Sequence, residues 1–223
     1  MAALALLLLT IACYLLGSIP CGVLISKNVY HLDVREYGSG NIGSTNVFRV
    51  LGAKGGIACF AGDFAKGFAA GCLAWALAAD VEAGGIASTA FGIAPMPVFS
   101  HEALTAIALL ASVCGHVYNP WLRFKGGKGV ATCLGCAFIT LGWPWALLGF
   151  ALFLAVAVAT KYVSAGSITG AVFIPIAAAI HYGSFTFPWF MCTATAAIII
   201  HAHRENIKRL AAGSENKFSV KKG

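Results

Sequence analysis

The sequence predicts an all-α, polytopic membrane protein with seven transmembrane helices, its N-terminus outside and its C-terminus cytoplasmic. Three observations lead there. First, the 223-residue chain is 59% hydrophobic and only 10% charged, with mean hydropathy +0.83, whereas soluble domains carry about 25% charged residues. Second, apolar runs recur at lengths near the ~20 residues that a helix needs to cross a bilayer. Third, the cations sort into alternate loops, and lysine and arginine accumulate on the cytoplasmic side of membrane proteins. The net charge of +7 then points to anionic headgroups or anionic substrates rather than nucleic acid.

The candidate spans are 3–26, 57–79, 102–121, 129–142, 143–160, 165–182 and 187–203. The first run, Ala2 to Leu16, resembles a signal-peptide core. It lacks preceding basic residues and stays apolar past Gly17-Ser-Ile-Pro20, so it reads as a retained helix. The fourth span is short. Gly142-Trp-Pro144 separates it from the fifth, because proline suits a helix start. Counting six spans, with one long bent helix, would break the charge sorting. With seven, fourteen of the fifteen lysines and arginines lie on one side, in 27–56, 122–128, 161–164 and the chain after 203, and the fifteenth, Lys66, lies at its edge. The other side has none and carries Asp80, Glu82 and Glu102. Segment 80–101 contains Gly84-Gly85, Pro95 and Pro97 and reads as a loop. Residues 1–223 form one domain without internal repeats, whose tail is expected to fray from about Gly213.

The eight cysteines lie almost entirely in apolar runs, as small hydrophobes do. Cys133 and Cys136 have CxxC spacing, but no strand precedes them and no second pair follows, so neither metal nor redox chemistry is expected.

Four polar clusters lie at span ends on the cationic side. The first is Gly38-Ser-Gly-Asn-Ile-Gly-Ser-Thr-Asn46, followed by Arg49. Its glycines permit close backbone approach. Ser39, Asn41, Ser44, Thr45 and Asn46 crowd hydrogen-bonding groups together, and Arg49 can grip a phosphate or carboxylate bidentately. A polar surface loop would need fewer of these groups. The second is Arg123-Phe-Lys-Gly-Gly-Lys-Gly-Val-Ala-Thr132. Here Gly126, Gly127 and Gly129 are expected to leave amides free for an anion at a helix start, with Lys125 and Lys128 supplying charge. The GxxxxGK[ST] spacing is absent, so no nucleotide is implied. The third, Lys161-Tyr-Val-Ser164 with Ser167, is weak alone, since a snorkelling lysine explains it equally well. The fourth runs from His201 to Arg209. His203 and Asn206 share a helix face, whereas His201 and His203 point apart, against a metal pair. Asp63 and Lys66 add an i,i+3 pair at the membrane's edge, where ionisable residues are functional candidates. Together these make a cationic pocket above apolar helices, suited to a phosphate head and a long apolar tail, on one substrate or two.

The clusters, in this order, resemble one family. "GSGNIGSTNVFRVLG", "GDFAKG", "GHVYNPWLRFKGGKGVAT", "KYVSAGSI" and "HRENIKRLAAGSENK", with the opening "GSIPCGVLISK", are similar to the motifs of the bacterial acyl-phosphate-dependent glycerol-3-phosphate acyltransferases, the PlsY family. The resemblance runs from Gly17 to Lys217. It implies a seven-helix enzyme of the bacterial cytoplasmic (inner) membrane, active at the cytoplasmic face. Such an enzyme moves a fatty acyl group from acyl phosphate to the 1-position of sn-glycerol 3-phosphate. The products are lysophosphatidic acid and inorganic phosphate, in the first step of phospholipid synthesis. The resemblance carries Ser39, Arg49, Lys128, His203 and Asn206 over as catalytic, and Gly126, Gly127 and Gly129 as holding the acyl-phosphate head. Asn41, Thr45, Asn46, Asp63, Lys125 and Ser164 complete the expected substrate contacts. Expected partners are the two substrates, membrane lipids and, functionally, the enzyme that makes acyl phosphate; no cofactor or metal is expected. Two departures are Ser44, where the family often has alanine, and Lys161, where it often has arginine, which loses the bidentate fork.

An acyl phosphate is already activated, so no covalent acyl-enzyme is needed. No cysteine in the polar clusters has a base beside it. No histidine has an aspartate five positions on, the signature of the other large glycerolipid acyltransferase class. The expected route is direct attack by the substrate hydroxyl, with Arg49, Lys128 and backbone amides stabilising developing charge. The proton acceptor is His203 or a substrate phosphate oxygen, ahead of Asp63 and Glu205. The alternative function is a transporter of a phosphorylated metabolite, which should place its site near the midplane between inverted repeats.

Overall fold

The computed structural model describes residues 2–218. Among them are ten α-helices and no strand. The first two, α1 (Ala2–Gly17) and α2 (Cys21–Tyr30), are halves of one apolar stretch broken at Ser18-Ile19-Pro20. Pro20 lacks an N–H and favours the interruption; at the break the Ile19 carbonyl accepts from Cys21 N–H at 3.0 Å and from Lys66 Nζ at 2.7 Å.

Helix α3 (Ser44–Ala83) has 40 residues. Straight, it would measure ~60 Å, twice the ~30 Å hydrocarbon core. Gly52, with φ 77° and ψ −171°, kinks it. The polar start of α3 is thereby set apart from its long apolar part. The stretch expected as a loop after it instead holds α4 (Ile86–Phe91) and a 3₁₀ turn at Pro97–Phe99. Asp80 explains the short helix: its carboxylate accepts from Ser88 N–H at 2.8 Å and ties the α4 start to the end of α3. Ser100 then caps α5 (His101–Val117) by accepting from Ala103 N–H.

Twelve of the 17 residues of α5 are buried, making it the axis of the bundle. Against it pack α1, α3, α6 (Val130–Thr140) and α9 (Phe187–Ala202); α7 (Trp143–Thr160) and α8 (Val163–Tyr182) pack on each other and on α6 and α9, and α10 (Arg204–Ala211) turns away from α9 at His203. The break expected before α7 is present: Gly142 has φ 83° and Pro144 sits in the first turn. Only Ala146 of α7 is buried. Its exposed leucines and valines face outward, as suits a helix bathed in lipid. Five stretches are long and apolar enough to cross a membrane: 2–30, 44–83, 101–122, 143–160 and 163–182. Two apolar helices, α6 and α9, are shorter.

Two glycines seat α6. A Cβ on Gly67 of α3 would run into the Thr132 backbone, and one on Gly135 of α6 would run into the Phe64 carbonyl. Small residues on both helices let the backbones touch, the usual means of packing helices in lipid. Thr140 Oγ1 also donates to the Thr105 carbonyl at 3.0 Å, pinning the far end of α6 to α5. The α6 start, with Lys128 just before it, is therefore fixed against α3 and α5. Replacing Gly67 with Leu should force α3 from α6, destabilising the fold by about 1–3 kcal/mol. The apparent melting temperature in detergent should fall; an unchanged value would mean that the two helices need not touch.

Candidate active site

The chain between α2 and α3 is organised by one amide. Asn46, buried in the first turn of α3, donates through Nδ2 to the carbonyls of Tyr37 (3.1 Å) and Asn41 (2.9 Å) and lies 3.3 Å from that of Val34. Its Oδ1 accepts from Ser39 N–H at 2.8 Å. Asn41 Oδ1 accepts from Gly43 N–H at 2.8 Å in an Asx turn. Asn46 thus spends its polar atoms on shaping the loop, so it positions Ser39, Ser44 and Thr45 rather than offering free donors itself. Arg49, one turn on, is exposed, and its guanidinium has no hydrogen-bond or ion-pair partner among the described residues.

The glycine loop before α6 departs from expectation in one respect. The amides of Gly126 and Gly127 are not free for an anion: they donate to the carbonyls of Val117 (3.0 Å) and His116 (3.1 Å). These glycines serve closeness instead. A Cβ on Gly126 would strike the His116 carbonyl, and one on Gly127 would strike the His116 ring. Neither lines the cleft described below, and exposed Lys125 also lies outside it. Gly129, with φ 80°, does line it and starts α6.

Lys128 enters a hydrogen-bonded relay. Its Nζ donates to Asn206 Oδ1 at 2.6 Å, and Asn206 Nδ2 donates to Glu215 Oε1 at 2.7 Å. Glu215 also accepts from Ser164 Oγ (3.1 Å) and Arg209 Nε (2.7 Å). Hydrogen bonds from Asn206, Arg209 and Ser164 hold its carboxyl below the usual range despite partial burial. Burial brings the Lys128 ammonium down to about 8; Glu215 opposes this, and Arg209 and Arg49 add to it. Residues 214–218 thereby lie against the site, and Phe218 N–H donates to the Lys161 carbonyl at 2.7 Å. Residues 219–223, the rest of the tail expected to fray, fall outside the described chain.

His203, at the α9–α10 break, is 2% exposed. Its Nδ1 lies 2.8 Å from the Ile199 carbonyl, which can only accept. The proton is therefore on Nδ1, and the neutral ring keeps a lone pair on Nε2.

Below these groups, Lys66 Nζ contacts Asp63 Oδ1 (2.8 Å), the Ile19 carbonyl (2.7 Å) and His116 Nδ1 (2.8 Å). Asp63 lies at the floor of the site, but its carboxylate is neutralised by Lys66.

All these elements meet at one end of the bundle in a cleft of about 150 Å³. The α2–α3 side contributes Ser39, Asn41, Ser44, Thr45, Asn46 and Arg49. Asp63, Lys128, Gly129, Ser164, His203 and Asn206 come from the other elements. Sequence reasoning missed His116 and Glu215, which also line it, as does Arg209, the end of the fourth polar cluster. His116 stands just before the glycine loop, and nothing local marks it as different from a core histidine. Glu215 sits in a tail whose composition suggested fraying. An apolar cavity of about 80 Å³ adjoins the cleft, sharing Phe60, Val130, Ala131, Phe153 and Ser167 and running to Leu141 and Trp145. A polar, cationic cleft therefore opens directly into an apolar groove between α6, α7 and α8.

Residues 7–213 match the glycerol-3-phosphate acyltransferase family model. Curated relatives with that name include one from Trichlorobacter lovleyi, 41% identical over 93% of this chain and 94% of its own. Another, from Geotalea daltonii, is 41% identical over 95% and 97%. Among solved structures, PlsY (YgiH), an integral membrane glycerol 3-phosphate acyltransferase, in its glycerol 3-phosphate form superposes with TM-score 0.77 at 40% identity, over 96% of each chain. Its lysophosphatidic acid form gives TM-score 0.75 at 38% identity, covering 97% of this chain and 96% of that one.

The ionisation of Lys128 gives a pH test. Below about 8 its ammonium is charged; above it the free cleft loses that charge. Affinity for a phosphate ester should therefore fall as pH rises through and beyond 8, the fall shifting upward when the ligand's own charge holds the proton. Lys128→Arg should flatten the decline, because guanidinium stays charged. An identical decline in that variant would exclude Lys128 as its source.

Proposed function

Because the chain belongs to the glycerol-3-phosphate acyltransferase family, and is a multi-pass membrane acyltransferase of glycerol 3-phosphate, we propose that its acyl donor is a fatty acyl phosphate. The observation that carries this reading is the continuity of cleft and groove. A donor with a small phosphate head and a long apolar tail matches a cationic cleft that opens sideways onto apolar walls. At about 150 Å³, the cleft is small beside the ~300–1,000 Å³ of pockets for larger ligands, which favours acyl phosphate over a nucleotide-bearing thioester.

The reading includes seven crossings, counting α6 and α9 with the five long stretches, and a site on the cytoplasmic face of the bacterial inner membrane. The one-sided distribution of lysine and arginine supports that orientation. The enzyme that makes acyl phosphate is then a functional partner.

In the proposed reaction, the 1-hydroxyl oxygen of glycerol 3-phosphate attacks the acyl carbon. The bond from that carbon to the phosphate oxygen breaks, and phosphate leaves. Arg49 is suited to grip the phosphate of glycerol 3-phosphate. Lys128, held by Asn206, stabilises charge on the acyl phosphate oxygens. The Nε2 lone pair of His203 accepts the hydroxyl proton, a role supported by the Nδ1–H bond to Ile199. Ser39 and Thr45 complete the polar wall, and no acyl-enzyme is formed.

Purified protein offered labelled sn-glycerol 3-phosphate should make lysophosphatidic acid from palmitoyl phosphate and not from palmitoyl-CoA or palmitoyl-acyl carrier protein. Product from a thioester alone would reject the donor. Lys128→Ala should lower turnover about 10²–10³-fold, as loss of a charge-stabilising donor does, with the protein still folded in detergent. Near-normal turnover would remove Lys128 from the chemistry. Ala146→Phe, at the far part of the groove, should shift preference toward shorter acyl chains, read from competition between octanoyl and palmitoyl phosphate.

A further inference from the structure

His116 is 3% exposed, in the last turn of α5, and lines the cleft beside Lys128 and Gly129. Its two ring nitrogens stand in different surroundings. Nδ1 faces Lys66 Nζ at 2.8 Å, with Thr132 Oγ1 more distant at 3.4 Å. An ammonium has three protons and can only donate. Lys66 directs them at the Ile19 carbonyl and at His116 Nδ1, and pairs as a charge with Asp63 Oδ1 at 2.8 Å. Nδ1 must therefore be the acceptor, which leaves the ring proton on Nε2. Nε2 lies beneath Gly127 and has no hydrogen-bond partner among the described residues. The ring lines the cleft, so that N–H is open to a ligand there. Its tautomer is fixed from behind by a lysine that never reaches the cleft, and only the glycine loop covers it.

We propose that His116 is a further substrate-contacting residue, whose Nε2–H, held in that tautomer by Lys66, donates to a phosphate oxygen of the acyl donor. This rests on the donor assigned above. The side of the cleft decides which substrate it meets. His116 lies under the loop that starts α6, and Val130 and Ala131 of α6 border both the cleft and the apolar groove. Arg49 and the α2–α3 loop belong to other walls. Lys66 is a positioning residue that acts through the ring, and Asp63 balances its charge.

Two measurements on the full-length protein in detergent test this. In kinetics, His116→Leu should raise KM for palmitoyl phosphate or cut kcat/KM for it roughly 10- to 100-fold, the effect of one lost bond to a charged group. KM for glycerol 3-phosphate should change little. His116→Gln, which keeps an N–H donor near the Nε2 position, should recover most of the loss. Equal impairment in both variants at unchanged melting temperature would mean that the ring only fills space, and would overturn the proposal, as would an effect confined to glycerol 3-phosphate. Should the variants fail to fold, nitrogen NMR of labelled histidine in the wild type decides. His116 should show the Nε2–H tautomer, and its Nε2–H signal should move when a non-hydrolysable palmitoyl phosphonate is added. An Nδ1–H tautomer, or no movement at saturating phosphonate, would overturn the assignment. The phosphonate readout needs no turnover, so failure of wild-type protein to use palmitoyl phosphate would reject the donor reading separately.

Discussion

Lys66 brings a full positive charge into a site where its side chain is 3% exposed, facing an Asp63 side chain 4% exposed. Removing such a pair from water costs several kcal/mol per ion unless every donor and acceptor finds good geometry. Here the ammonium serves three elements at once, while Asp63 Oδ1 has the ion pair and no hydrogen bond among the described residues. It takes the Ile19 carbonyl at the proline break between α1 and α2, the carboxylate one turn earlier on α3, and the imidazole at the end of α5. Polar groups in lipid must be satisfied inside the protein, so this knot ties the cleft end of three helices together. The glycine loop then lies on the imidazole, and Lys128 takes its place from that loop.

The electrostatics of the cleft follow from which charges are already answered. Asp63 is answered by Lys66, and Glu215 by Arg209, Ser164 and Asn206. Arg49 has no partner among the described residues, and Lys128 donates to a neutral amide. The uncompensated charge is therefore positive, concentrated where the starts of α3, α6, α8 and α10 meet the ends of α5 and α9. That is the field that recruits a doubly charged phosphate ester.

The same elements bring an aqueous reaction to a lipid tail. Phe60, Val130, Ala131 and Phe153 belong to both the polar cleft and the apolar groove. An acyl group can thus lie along α6 and α8 while its carbonyl meets the polar wall. Short α6 matters for this: its start stands within the bundle's polar end because Gly67 and Gly135 let it press against α3.

The sequence by itself determined the helical membrane architecture, the break at Gly142, the polar clusters and most of the residues lining the cleft. These are local signals: apolar run length, a proline in a first turn, glycines dense among hydroxyls, and cations sorted by loop. It also suggested the Asp63–Lys66 pair, since i,i+3 neighbours meet on any helix. Only tertiary structure decided that Gly126 and Gly127 spend their amides on α5, that Asn46 shapes its own loop, and that Glu215 returns to Ser164. His116 meets Lys66 across 50 residues of sequence, and Ser164 meets Glu215 across 51. Periodicity does not reach so far, because a helix pattern reports which face is apolar and not which neighbour that face will meet.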